Sequence, residues 1–191
     1  RKDHPLFAQR IRQAVRKGGV VSSIQGASED WAMPVANLML AEPGLWAQAL
    51  ADVAAAIAAE KGVVPPATGT ATAQAQAIAK SLLGGERKAV LLGNAAAHHA
   101  KASTLLALAN WIAAQTGATV GYLTEAANTV GAQLVGAMPG KAGLSAGPVL
   151  SGALTAVLLL DTAPEHDAAG ARKGSGGVGK AQMVVTLSPF K

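Results

Sequence analysis

The chain has no cysteine among its 191 residues. That single absence removes disulfides, thiolate zinc sites, cysteine-ligated iron-sulfur clusters and a cysteine nucleophile, while leaving the redox compartment open. Aromatic side chains are scarce as well: three Trp, two Phe and one Tyr. Trp31, Trp46 and Trp111 are spread out rather than grouped, so each is expected to pack in the core or at an interface. Charged residues make up 14% of the chain and apolar ones 50%, which leaves Ala, Val, Leu and Ile to fill the interior. Small side chains of this kind let helices lie close against sheets. The length suits one or two compact domains that can bury a real core.

The formal charge of +5 is unevenly placed. Cations gather at the start (Arg1, Lys2, Arg10, Arg12, Arg16, Lys17) and again late (Arg172, Lys173, Lys180), without the interleaved aromatics that base stacking needs. This argues against a nucleic-acid partner and for a solvated helix face. The opening Arg1-Lys2-Asp3-His4-Pro5 carries no initiator Met and no signal pattern, and reads as part of a longer chain. Ala142 to Leu160 is free of charge and long enough to cross a bilayer. Gly143, Gly147, Pro148 and Gly152 interrupt it, so a turn, a helix and a buried strand are expected instead of a membrane span.

Along the chain, Asp3 can cap a helix from Pro5, with Leu6, Ile11, Ala14 and Val15 on one face and Arg10, Arg12, Arg16 and Lys17 outward. Gly18-Gly19 ends it, and Val20, Val21 and Ile24 suggest a short strand. An irregular stretch through Trp31, Pro34 and Asn37 leads to an Ala-rich helix from Leu45 to Glu60. Gly62 to Thr70, with Pro65-Pro66, is the expected connection between a part spanning 1–64 and a Rossmann-like α/β part spanning 65–191. Thr70 or Thr72 can start a helix to Leu83. Ala89-Val90-Leu91-Leu92 has the continuous apolar character of a central parallel strand. A long helix from about Ala96 to Gln115, a strand at Thr119 to Tyr122, a helix to about Val135, a Gly-rich loop from Met138 to Gly147, a buried strand at Thr155–Leu160 and a last strand at Met183–Leu187 complete the pattern. Strands alternating with helices predict a three-layer αβα sandwich with a mostly parallel sheet, whose ligands sit beyond the carboxyl ends of the strands.

Three motifs invite a chemical reading. Gly174 to Ala181 satisfies G-x-G-x-x-G and nearly completes a phosphate loop, but Ala181 stands where Ser or Thr must bind magnesium. No strand precedes it and no helix follows, so a solvent-exposed loop is expected, with a phosphate-loop nucleotide binder as an alternative. His98 and His99 project about a hundred degrees apart on a helix and lack a partner at i+3 or i+4, which disfavours a shared metal. Asp161, Glu165, His166 and Asp167 follow a strand, where an α/β enzyme would place reactive groups. They also serve naturally as caps and first-turn residues of a helix near Pro164. No G-x-S-x-G elbow is present.

Taken in order, several segments resemble one family. The opening helix carries FAQRIRQAVRKG. Glu86 to Gly140 reads ERKAVLLGNAAAHHAKASTLLALANWIAAQTGATVGYLTEAANTVGAQLVGAMPG, and LLLDTAPEHD and AQMVVTLSPF follow. They resemble the large iron-sulfur subunit of bacterial respiratory NADH-quinone oxidoreductases (respiratory complex I), whose carboxyl-terminal region is similar to the molybdopterin enzymes of the formate dehydrogenase and DMSO reductase group. The resemblance implies a vestigial pterin cleft at Gly93, Asn94, Asn128, Gly131, Thr162 and Pro164. It implies no catalytic residue, metal ligand or bound cofactor in this stretch, with the iron-sulfur clusters elsewhere in the full-length subunit. The partners it implies are other subunits of the peripheral arm, on the cytoplasmic side of the bacterial inner membrane. Two features depart from the pterin enzymes: the metal-ligating residue is missing, and their Gly-rich loop is replaced by Glu125-Ala126-Ala127-Asn128. A working pterin-dinucleotide-binding half of a molybdenum or tungsten oxidoreductase is the other reading the resemblance allows.

Overall fold

A computed structural model describes residues 4–125, 128–141, 143–167 and 176–189. The chain is of mixed α/β class, and its strands pair in parallel throughout the described residues. It divides into two compact units, Arg1–Ala127 and Asn128–Lys191. The Gly62 to Thr70 stretch, expected to join two parts, therefore lies inside the first unit.

The first unit opens with α1 (Pro5–Arg16), where Pro occupies the first helical turn and costs no hydrogen bond. His4 stands at the N-cap and makes no capping bond, while Asp3 lies outside the described residues. Ile11 and Val15 are half-buried, but Leu6 is 83% exposed and does not share their face. Next, β1 (Ser22–Gln25) and β2 (Asn37–Leu40) pair in parallel with Ser22 opposite Asn37. The first of these strands begins after Val20 and Val21, and the second occupies a stretch expected to be irregular. Asn37 Nδ2 donates to Ser22 Oγ at 2.9 Å, so the register is fixed by polar side chains as well as by the ladder.

The core of this unit is built on α2 (Trp46–Lys61), which follows a 3₁₀ turn at Pro43–Leu45. Its alanines let neighbours approach, and Gly62 in the left-handed region (φ +65°) closes it by donating to the Ala58 carbonyl. Val53, Ala54 and Ile57 of α2 meet Ala75, Ile78 and Ala79 of α3 (Ala73–Gly84), Met39 of β2 and Ile112 further on, in one buried cluster. Helix α3 starts at Thr72, whose Oγ1 accepts from Ala75 N at 3.2 Å. Thr72→Ala is expected to lower unfolding free energy by about 1 kcal/mol, read as a shift in the urea midpoint at unchanged slope.

A parallel crossover follows. β3 (Ala89–Leu92) leads through α4 (Asn94–Ala97) and α5 (Ala102–Thr116) to β4 (Thr119–Tyr122), which pairs with it from Ala89 opposite Thr119 to Leu92 opposite Tyr122. The single long helix expected here is broken at His98 to Lys101. His99 explains the break: its Nδ1 accepts from Lys101 N at 3.0 Å, its Nε2 meets the Pro43 carbonyl at 2.9 Å, and its ring lies 5.6 Å from that of Trp46. A tautomer with the proton on Nε2 satisfies both nitrogens. Only Leu92 of β3 is buried, whereas Leu91 is 38% exposed, so the strand has one covered side rather than two.

The second unit contains α6 (Thr129–Leu134), α7 (Ala146–Leu150), β5 (Ala156–Leu160), α8 (Pro164–Asp167) and β6 (Met183–Leu187). β5 and β6 pair in parallel from Ala156 opposite Met183 to Leu160 opposite Leu187. The charge-free run thus resolves into a short helix, a turn and a strand, and no described helix is long and apolar enough to cross a membrane. β5 is not the buried strand expected. Val157 alone is buried in β5, and β6 is exposed along its whole length.

Candidate functional site

Loops beyond the carboxyl ends of the strands carry the positions singled out by sequence. Gly93 and Asn94 belong to the first unit, and Asn128, Gly131, Thr162 and Pro164 to the second. Gly93 is the extended N-cap of α4, and a Cβ there would meet nothing within 4 Å, so neither packing nor an unusual torsion requires glycine. Asn94 Nδ2 donates to Glu125 Oε2 at 2.9 Å, tying the turn after β3 to the loop after β4. The ladder runs on by one bond, from Leu123 N to the Leu92 carbonyl at 2.8 Å, and the ring of His4 reaches the Thr124 carbonyl in the same loop.

In the second unit the Asn128 side chain lies over Gly131, where any Cβ would overlap it, and the Asn128 carbonyl receives Ala132 N at 2.9 Å. Thr162 Oγ1 donates to the Leu160 carbonyl at 2.9 Å, and Ala163 N donates to Asp167 Oδ2 at 2.7 Å. Asp161 adopts a left-handed conformation (φ +48°) and continues the ladder to the Leu187 carbonyl at 2.8 Å. Pro164 is buried, while Glu165, His166 and Asp167 are exposed around a single helical turn. Of the acidic residues after β5, Asp167 closes the turn in the capping role that its position suggested.

The charged groups recorded at these strand ends are acidic. A pyrophosphate needs free N–H donors and positive potential. The Asn94 side-chain amide gives one of its two N–H groups to a carboxylate, Glu125 adds negative charge at the same point, and from Gly143 to Asp167 there are three acidic residues and no Lys or Arg. Among the described residues no group of three or more His, Asp or Glu could hold a metal ion. Both nitrogens of His99 are engaged as described, and His98 is exposed.

The Gly-rich motif is only partly described, since Gly174 and Ser175 lie outside the described residues. Its remainder is not the open loop expected. Residues 176–178 form a helical turn in which Gly177 and Val178 are buried. A Cβ on Gly177 would overlap the Leu150 carbonyl, and one on Gly152 would sit 3.1 Å from Lys180 Cδ. Glycine here permits close packing, and the strand follows the motif instead of preceding it.

One cluster was missed in the sequence. Gln25, the last residue of β1, accepts through Oε1 from Ser23 Oγ at 3.0 Å and from Trp31 Nε1 at 3.2 Å. Because an indole only donates, this fixes the amide orientation, and the buried Nε2 has no protein partner. Trp31 is held by a turn in which Ala32, at φ +52°, donates its N–H to Asp30 Oδ1 at 2.8 Å. Nearby in the chain, Trp46 Nε1 donates to the Ala41 carbonyl at 2.9 Å. Only the sequence order Gln-Gly followed by Asp-Trp hinted at this arrangement.

The chain is thus of mixed α/β class with parallel strand pairs, and acidic side chains follow β4 and β5. No family model, curated protein or solved structure matches the chain.

Proposed function

We propose that this chain is a structural, cofactor-free domain of the molybdopterin-oxidoreductase type, a three-layer αβα sandwich related to formate dehydrogenase and DMSO reductase. The particular protein it fits is the large iron-sulfur subunit of bacterial NADH-quinone oxidoreductase. There it supports electron transfer from NADH to quinone by shaping the peripheral arm, against other subunits on the cytoplasmic side of the inner membrane. Iron-sulfur clusters elsewhere in that subunit carry the electrons.

The observation that carries the cofactor-free reading is the Asn94–Glu125 hydrogen bond at the ends of β3 and β4. It sets a carboxylate at the ends of these strands, and the negative charge supports the reading because a dinucleotide's phosphates favour positive potential. The parallel crossover from β3 to β4 is compatible with an inherited cofactor fold. The resemblance of Glu86 to Gly140 to the iron-sulfur subunit supports the particular assignment.

Two measurements on the full-length protein test the two parts separately. Elemental analysis and pterin fluorescence after growth with molybdate and tungstate are expected to find neither metal nor pterin; a stoichiometric pterin would overturn the cofactor-free reading. An affinity tag on the protein should purify NADH-driven quinone reductase activity from detergent-solubilised membranes. A tag that separates completely from that activity would overturn the assignment to the respiratory complex.

A further inference from the structure

We propose that α1 is a docking helix for an acidic protein surface, with Phe7 as its anchor and Arg10, Arg12, Arg16 and Lys17 as its charges. None of the helix's residues is buried. Phe7 is 41% exposed and Leu6 83%, both on the first turn, while Ile11 and Val15 are half-covered. Four cations lie between Arg10 and Lys17, and no acidic residue occurs from His4 to Ser28. Among the described residues none of the four has a side-chain hydrogen bond or ion pair. The helix thus presents charge of one sign that the described structure does not balance.

Geometry adds a concave feature. His4, Pro5, Leu6, Phe7 and Arg10 line an open hollow. Phe7 and Arg10 are three residues apart and therefore neighbours on the helix surface. Aromatic residues and arginine are both enriched at protein–protein interfaces, so Phe7 beside Arg10 suits such a contact. A lipid surface is a poorer occupant, because a helix lying in a bilayer interface buries its whole apolar face. Here the half-covered Ile11 and Val15 leave only the first turn free. A partner of opposite charge would gain on-rate from the cations and affinity from the Phe7 contact. This inference is independent of the assignment to the respiratory complex.

The test uses the full chain and a fluorescein-labelled amphipathic peptide of Glu and Leu at helical spacing, followed by anisotropy. Binding that weakens with salt is expected. It should fall roughly tenfold for Phe7→Ser and at least as much for Arg10→Glu combined with Arg16→Glu. Arg10→Lys with Arg16→Lys should retain it. Circular dichroism verifies that each variant keeps its helix content. Lys80→Glu with Lys101→Glu changes the net charge equally at exposed sites outside α1 and should leave binding intact. The proposal is overturned if the peptide does not bind, if the reversal outside α1 weakens it as much, or if Phe7→Ser has no effect. Cosedimentation with phosphatidylserine vesicles in the absence of peptide binding would instead identify a lipid surface.

Discussion

Ile57→Ala is expected to destabilise the first unit by about 2–5 kcal/mol, toward the upper end of that range. Ile57 is fully buried in the middle of α2, and among the described residues it is one of four large side chains exposed by less than 2%, with Leu105, Ile112 and Val53. Its surroundings account for the expected size of the effect. Ala54, Ala56, Ala75 and Ala79 line the same cluster, and alanine has no rotamer with which to fill a void. The cavity would stay open, so the lost transfer energy and the lost dispersion contacts would both be felt. A domain typically has about 5–15 kcal/mol of stability in all, and this one substitution would remove a large part of it. All three tryptophans lie in the first unit, so their fluorescence during urea unfolding reports on it directly. Leu6→Ala, at a position 83% exposed, should stay within about 0.5 kcal/mol of the parent. Similar losses at the two positions would show that α2 is not the centre of the core.

The elements legible in the sequence were those whose signals are local. The Ala-rich helices α2 and α3 were visible from composition; of the two starts offered for α3 the cap is Thr72, while Gly62, expected to open a connection, closes α2. The strand at Met183–Leu187 stands where its apolar run placed it. Elements set by distant contacts were not legible. β2 is Asn-Leu-Met-Leu, a poor strand former by propensity, and it is held by a ladder to β1 and by the Asn37–Ser22 bond. The break after α4 depends on His99 meeting Pro43 and Trp46, more than fifty residues earlier. The side of β3 that is covered could not be read from four consecutive apolar residues, and it is Leu92 rather than Leu91 that is buried.

The candidate site divides in the same way. Sequence order sufficed to place Gly93, Asn94, Thr162 and Pro164 at strand ends, because loops follow strands in any alternating pattern. What those positions do depends on partners that local pattern cannot supply. Asn94 is engaged by Glu125 from across the crossover, and Asp167 turns back to Ala163. Gln25 escaped notice because its significance lies in Trp31 using the amide oxygen and leaving the nitrogen unpartnered. Glycine-rich composition suggested freedom at Gly176 to Lys180, yet Gly177 is glycine because the Leu150 carbonyl occupies the space of a side chain.

The same reasoning makes Gly69→Ala a sharp test of whether Gly62 to Thr70 is a linker or part of the fold. A Cβ on Gly69 would overlap the carbonyl of Ala51 and lie 2.9 Å from Asp52 N, so it would strike the backbone of α2 rather than a side chain able to swing aside. Relief requires moving the segment off the helix. That movement would break the bond from Thr70 N to Asp52 Oδ1 at 2.8 Å and the one from Gln48 Nε2 to the Thr68 carbonyl at 3.2 Å. It would also pull on Ala71, which packs against the core, and on the Thr72 cap of α3. Overpacking against such a rigid neighbour is expected to cost roughly 1–3 kcal/mol, and losing the attached hydrogen bonds raises it toward the top of that range. Gly84→Ala is the matched control. It is the last residue of α3 with nothing within 4 Å of a Cβ, and alanine there should gain part of the roughly 0.5–1 kcal/mol found in helix interiors. The two glycine-to-alanine changes should therefore shift the urea midpoint in opposite directions. If Gly69→Ala leaves the midpoint unchanged, the segment does not pack on α2 and behaves as the free connection that its Pro65-Pro66 composition suggested.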